Sequence, residues 1–374
     1  MAEIVAFQII TAIGATGFSA ALVQVGVGLA LSFVASRLVG EQGLAQSFEQ
    51  KRRTLAFAAD LPPYRFVYGE TRAVATALPH PVIGEWGYGV YLLNSRPSDG
   101  TPTLYLDGRE VTLTGDPFDF SANGATPASG DLSGYLQVWI GRGDQTGPPD
   151  RYLTNAPYHV DDEPLGFKAT DAGTGLTVVY IKYGYDADNP QLWPSIPPRV
   201  EIEGLRTPVY DPRTAAAQDA ADSATWAGSS NWALCILDAL RNNPFRPYRD
   251  DLLLLDLFRT AADDADATVS LSAGGSEARW AIDGTVIFDG AEIEQFIDPM
   301  VEAGAGRLVR RGGRIGLVAG GAASSEYTVE QVLGALSFSN MAPGRDLPTH
   351  VSTTYVSPER GYADASLALW DIPG

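Results

Sequence analysis

Between Thr54 and about Arg213, apolar and polar positions alternate in short runs rich in β-branched and aromatic residues, broken repeatedly by Gly and Pro. That texture predicts antiparallel strands. Tyr64 to Ala77 and Tyr88 to Leu93 read as strands. Thr103 to Leu106 and Glu110 to Leu113, joined through Asp107-Gly108, read as a hairpin on a tight type I′ turn. Leu176 to Tyr183 is apolar or β-branched along nearly its whole run, which predicts burial on both faces or at a protein interface. Between the hairpin and that strand, a stretch at about 116–172 is rich in Gly, Pro and Asp, and reads as a loop-rich insertion with one strand around Tyr135 to Ile140.

From about Ala215 to Leu336 helical periodicity replaces alternation. Ser229, Ser230 and Asn231 offer an N-cap before Trp232, Ile236, Leu237 and Leu240, and Pro244 stops the run. Asp250 and Asp251 predict the start of a second helix with Leu254, Phe258, Ala261 and Ala262 on one face. In a third, Asp289 and Glu292 form a capping-box pattern. Ile293, Phe296, Ile297, Met300 and Val301 follow at helical spacing, and Gly304 is the expected closure. Gly306 to Val309 and Arg314 to Val318 read as a hairpin through Arg311-Gly312-Gly313, and a short fourth helix is expected from Thr328. Alternation returns from Ser337, with Val351, Thr353 and Tyr355 on one face and strand character at Ser366 to Leu369. There is no fixed-period repeat, which argues against a solenoid or propeller.

The N-terminal segment breaks both patterns, because Ile4 to Ser36 contains no charged residue. That is longer than the roughly 20 residues of a membrane-spanning helix, yet four glycines and several polar residues dilute it. Only Glu3 precedes it, so the positive n-region of a secretory signal is lacking. Two readings stand. One is a membrane-inserting segment with Arg37, Lys51, Arg52 and Arg53 held on one side. The other is a helix packed through its small residues against copies of itself or another protein.

The chain has 374 residues, enough for two to three domains, and a formal charge of −19. A basic nucleic-acid clamp is thereby excluded. One cysteine, Cys235, precludes an intrachain disulfide or Cys-based zinc site and reads as a small core residue. His80, His159 and His350 lie far apart without ligand spacing, and His80 stands in a Pro-His-Pro turn. There is no G-x-S-x-G elbow, P-loop or EF-hand loop, and the Gly304 to Gly306 stretch follows a helix where a dinucleotide turn would precede one. Asp161, Asp162 and Glu163, like Asp263, Asp264 and Asp266, read as solvated faces, with weak calcium binding as the other reading. Arg142-Gly143-Asp144 matches the integrin-ligand tripeptide, but reads as a turn in an acidic loop. No catalytic, cofactor-binding or metal-binding residue is assigned.

Several blocks recur in a specific order: "LYLDGREVTL", "VVYIKYGYDADNPQLWPSIPPRVEIEGLRTPVYDPR", "SSNWALCILDALRNN", "RLVRRGGRIGLVAGG" and "THVSTTYVSPERGYADASLALWD". This order resembles the N-terminal hub region of phage tail tip attachment proteins, also called host-specificity proteins, over roughly Tyr64 to Asp371. Matching positions include Pro208-Val209-Tyr210-Asp211, Asn231 to Leu240, and Val351 to Tyr362. Family members usually continue into fibronectin-like and receptor-binding regions, whereas this sequence stops at Gly374. The expectation is either a separate receptor-binding polypeptide or a truncated chain.

The patterning and the resemblance together imply an α+β, mainly β fold. Its parts would be a hydrophobic N-terminal helical segment at 1–50, a first β-barrel-like hub domain at 51–213, an inserted helical α/β block at 214–336, and the start of a second barrel at 337–374. It implies a homotrimer in the virion, closing the distal end of the tail tube and forming part of the DNA ejection channel. Its partners would be the distal tail protein, other tail tip proteins and a receptor-binding protein or fibre. Residues 4–36 would contact the tape-measure protein or the host membrane during ejection. No enzymatic activity, cofactor or specific nucleic-acid binding is expected. Acidic residues lining the bore would repel the DNA backbone, and the alternative is ordinary solubility charge outside. Two other classes stay open: a membrane-anchored β-rich surface protein, and a carboxylate-pair glycosidase of a tail tip.

Overall fold

A computed structural model describes residues 62–320, apart from 79–81, 84, 151–170, 187–188, 190–191, 215–216, 272–273, 289 and 291–292, and then 350–351, 354–357, 360–366 and 370–371. The expected N-terminal segment, the helix from Thr328, the Asp289/Glu292 capping box, the Asp161 to Glu163 cluster, His80 and His159 lie outside the described residues.

The described chain is mainly β with few helices. In order, the first strands are β1 (Tyr64–Tyr68), β2 (Arg72–Val74), β3 (Thr76–Ala77), β4 (Val82–Ile83), β5 (Trp86–Asn94), β6 (Thr103–Leu106) and β7 (Arg109–Val111). They are followed by β8 (Leu113–Thr114), β9 (Thr126–Pro127), β10 (Leu136–Gly141), β11 (Thr177–Gly184) and β12 (Val200–Glu203). One sheet runs β10-β11-β5-β3, with β4 also on β5, and a second runs β2-β12-β6-β7. Both are antiparallel. The chain passes from one sheet to the other at Ala75, whose N–H donates to Val200 O while β2 and β3 pair on either side. On the far side, β8 pairs β9 and Ala125 bridges to Val138 of β10. Hydrogen bonding thus passes between the sheets at both margins.

The two sheets share one core. Tyr91, Leu93, Val138, Val179 and Ile181 from the first face Leu104, Leu106, Val200 and Ile202 from the second. The opposite face of the first sheet is covered as well, with Tyr88, Val90, Trp139, Val178 and Tyr180 in a separate cluster. β11 therefore alternates between two buried faces, as its unbroken apolar run predicts. The Asp107-Gly108 turn has φ of 51° and 78°, so both positions are left-handed as a type I′ turn requires. The strand expected near Tyr135 is β10. It pairs with β11 along six residues, so this part of the 116–172 stretch belongs to the main sheet and not to a loop insertion.

After the short pair β13 (Pro208–Val209) and β14 (Ala227–Gly228) comes the helical block: α1 (Trp232–Arg241), α2 (Leu255–Asp266), β15 (Thr268–Ser270), β16 (Ser276–Ala278), β17 (Gly284–Phe288), α3 (Ile293–Ala303), β18 (Arg307–Arg311) and β19 (Arg314–Val318). The Asn231 side chain caps α1 by accepting from the N–H groups of Ala233 and Leu234. Every α1 residue from Trp232 to Leu240 is buried. The second helix begins later than the acidic pair suggests. Asp250 to Leu252 form a 3-10 turn, and Leu254 N–H donates to Ile315 O on β19, so the helix starts only at Leu255. Its buried face is Phe258, Ala261, Ala262 and Ala265.

The end of α3 also differs from expectation. Ala305, with φ 48°, is the left-handed residue, its N–H bonding Glu302 O at 2.8 Å and that of Gly306 bonding Val301 O at 3.0 Å. This is a Schellman closure one residue beyond Gly304. Gly304 is needed for packing instead, since a Cβ there would lie 2.3 Å from Trp232 Cε2.

The two parts share β1. Antiparallel pairing from Tyr64↔Phe288 to Tyr68↔Gly284 joins it to β17, which the sequence places in the helical block. Phe66 and Tyr68 point into the helical core while Val67 points into the core between the sheets. In the C-terminal part, β20 (His350–Val351), β21 (Thr354–Ser357), β22 (Ala363–Ser366) and β23 (Trp370–Asp371) form two ribbons. The Tyr362 hydroxyl donates to Glu203 at 3.2 Å, fastening this part to β12.

Candidate functional site

The most concentrated buried polar chemistry lies where the sheets meet the helical block. Asp238, in the middle of apolar α1, is 2% exposed. Its carboxylate accepts from Tyr68 Oη at 2.8 Å, from Arg96 Nη1 at 2.7 and 2.8 Å, and from Asn242 Nδ2 at 2.7 Å. A buried carboxylate is tolerable only when paired and hydrogen-bonded in this way. The Arg96 guanidinium also lies over the rings of Phe66 (5.3 Å) and Trp226 (5.6 Å). Burial first, and then the Asp238 charge, push the Tyr68 hydroxyl well above the usual phenol range. Burial likewise raises the nearby Cys235 thiol, which is a core residue as its apolar surroundings predict.

A neutral seam continues from this ion pair. Thr177 Oγ1 donates to Arg96 O at 2.8 Å, and Asn94 Nδ2 donates to Ser98 Oγ at 2.9 Å and Thr207 Oγ1 at 2.8 Å. The ends of β5 and β11 and the chain leading to β13 are thereby locked to one another. Nearer the surface, Arg213 bridges Asp211, Asp263 and Asp266, and Asp266 also accepts from Asn231 at 2.8 Å. Two members of the acidic run expected as a solvated face are thus tied to an arginine, and Asp211 contributes most to raising that arginine's pKa. Among the described residues no group of three His, Cys, Asp or Glu is arranged to hold a metal. His350 lies on β20, opposite Asp371.

A cleft of about 530 Å³ opens beside β10, lined by Phe118, Phe120, Arg142, Asp144, Gln145 and Asp150 among others. It contains the Arg142-Gly143-Asp144 tripeptide, in which Gly143 is buried, Arg142 half-buried and Asp144 exposed. Arg142 stacks 3.5 Å from the Phe118 ring centroid, the Gly143 N–H donates to Gln145 Oε1 at 2.7 Å, and a Cβ at Gly143 would lie 2.8 Å from Pro97. The turn reading of this tripeptide fits that environment.

The remaining features face outward. Tyr64 and Phe245 are about half exposed and meet edge to face at 5.9 Å, and Ile287 on β17 is exposed as well. All six residues of the β15–β16 ribbon are exposed. Such a ribbon is marginal in water without packing on one face. No helix among the described residues is long and apolar enough to cross a membrane. Neither a known family profile nor a curated protein matches this chain.

Proposed function

We propose that this chain is a structural component of a phage, or phage-like, tail tip. In this reading three copies form a hub that closes the distal end of the tail tube, joins the distal tail protein to receptor-binding proteins or fibres, and lines part of the DNA ejection channel. The observation that carries it is where the resemblance blocks fall. "VVYIKYG" is the doubly buried β11, "RVEIEGLRTPV" spans β12 and β13, "NWALCILDALR" is the capped α1, and "RLVRRGGRIGLV" is the β18–β19 hairpin. These are scaffold elements, which a shared architecture would retain, and not loops.

Two further features support the reading. Pairing that passes between the sheets at both margins would suit a barrel-like hub domain. The buried Asp238 joint and shared β1 make a stiff unit, suited to bearing load in a ring. Exposed apolar residues and unpacked ribbons are hazards for a free monomer, and assembly would cover them.

The test is location. Imaging of intact particles should find three copies around the axis at the distal end of the tail, and fractionation should place the chain with virions. Recovery only with detergent-soluble membrane would overturn the hub reading in favour of an anchored surface protein. The glycosidase alternative has one specific feature, the cleft with Asp144, Asp150, Phe118 and Phe120. Release of reducing sugar from host polysaccharide, lost in Asp144→Asn or Asp150→Asn, would favour it.

A further inference from the structure

We propose that the arginine-bearing tip of the β18–β19 hairpin docks onto carboxylates of a second copy of this chain, forming one side of the ring contact. This rests on the trimeric hub reading. The starting observation is a charge reversal. Arg307 to Arg314 carries four arginines and no acidic residue, in a chain of formal charge −19.

Geometry makes the cluster more than a composition effect. Gly312 and Gly313, with φ of 59° and 77°, close a two-residue turn and set Arg311 directly opposite Arg314. Residues so paired have Cβ atoms about 5 Å apart, and like charges there destabilise the hairpin. Arg307 lies on the same face, four residues from Arg311 along β18. Arg307, Arg311 and Arg314 are exposed and make no salt bridge among the described residues, whereas eight arginines elsewhere pair with a carboxylate. The nearby Asp251 is engaged by Arg249, whose hydrogen bond is the main cause that lowers its pKa, with Arg314 the smallest contributor.

The base of the hairpin is fixed. Leu308, Ile315 and Leu317 pack in the helical core, and the Ile315 carbonyl accepts from Leu254 N–H at 2.7 Å. The arginines at the tip are therefore carried on a backbone anchored to the core. A cyclic trimer joins two different patches head to tail. Copies that each carry −19 repel, so a compact positive patch on one side of the contact supplies the missing complementarity. Arginine suits carboxylate partners because its planar fork binds them through two parallel hydrogen bonds. The negative charge of the rest of the chain disfavours a polyphosphate at the same place.

The experiment compares full-length parent chain with Arg311→Ala/Arg314→Ala and Arg311→Glu/Arg314→Glu, using sedimentation and mass photometry across a concentration series, with circular dichroism to verify folding. The expected result is a trimer whose dissociation constant rises at least tenfold in the alanine variant and further in the glutamate variant. The alanine variant should keep or gain thermal stability as a monomer, because cross-strand repulsion is removed. A trimer unchanged within twofold in both variants overturns the docking inference and leaves the hub reading standing. A parent chain that stays monomeric at all concentrations overturns both. If the parent binds a 20-base-pair DNA duplex and the variants lose this with the trimer unaffected, the tip serves nucleic acid and the inference is wrong.

Discussion

Removal of the Asp238 carboxylate should be the most damaging single change at the joint. Asp238→Ala leaves the Arg96 guanidinium, 15% exposed, without its counter-charge, and leaves the Tyr68 hydroxyl, fully buried, and the Asn242 amide without acceptors. Breaking a buried ion pair from one side costs about 3–5 kcal/mol, and an orphaned buried hydroxyl about 1–3 kcal/mol. The two overlap, and Arg96 can turn partly toward water, so the expected loss is about 4 kcal/mol, a large share of a typical stability of about 5–15 kcal/mol. Tyr68→Phe should cost about 1.5–3 kcal/mol, since it removes a single bond to a charged group. By contrast, Arg96→Met/Asp238→Leu replaces the pair by apolar volume and should recover most of the loss.

Urea unfolding supplies the assay, because both sides of the joint carry tryptophans. Trp139 and Trp193 belong to the clusters around the sheets, and Trp232 and Trp280 to the helical block. In the parent all probes should report one transition, while in Asp238→Ala the helical probes should move to lower denaturant ahead of the others. An Asp238→Ala protein within about 1 kcal/mol of the parent would refute the reasoning, and so would a double variant less stable than either single one.

Other consequences can be measured in the same way. Ala305→Gly relieves a left-handed alanine and should stabilise by about 0.5–1 kcal/mol, whereas Gly304→Ala forces a Cβ into the Trp232 ring and should cost about 1–3 kcal/mol; paired melting curves with shifts of the same sign would contradict this. Tyr180 and Tyr183 are each raised to about 12, mainly by burial, and a folded state that holds protons more tightly loses stability as pH climbs past the unfolded value near 10. Stability should therefore hold below about pH 9 and fall between about pH 10 and 12 by roughly 2–3 kcal/mol per tyrosine, and a urea midpoint unchanged at pH 11 would count against it. Cys235, the lone thiol, is buried and its pKa is raised, so a disulfide reagent should modify it about a thousandfold more slowly in the native than in the unfolded chain. Rapid native labelling would show that α1 opens locally.

Features determined by neighbouring residues were legible in the sequence. The Asp107-Gly108 and Gly312-Gly313 turns, the Asn231 cap and the doubly buried β11 all depend on contacts or backbone angles encoded within a few positions. What escaped depends on distant partners. The aromatic and β-branched run from Tyr64 to Tyr68 marks a strand but cannot reveal that its partner is β17, since Phe66 and Tyr68 on one face and Val67 on the other are buried in different cores. The start of α2 lies beyond the acidic pair because Leu254 is held by Ile315, and Gly304 serves packing against Trp232 while Ala305 supplies the left-handed closure of α3. Arg96 and Asp238 are 142 positions apart, and no spacing rule links them. The available signal was a single acid, Asp238, among the apolar residues of α1, which demands a buried partner without naming it.

The double duty of β1 has a practical corollary for anyone dissecting this molecule. A fragment beginning near 214 would retain every helix of the described block yet lack Phe66 and Tyr68, so it would expose the groove those rings fill. Supplied separately, a short peptide spanning Tyr64 to Tyr68 should bind that fragment in the manner of a split reporter, and the strength of that complementation would measure directly how much one five-residue strand contributes to uniting two cores.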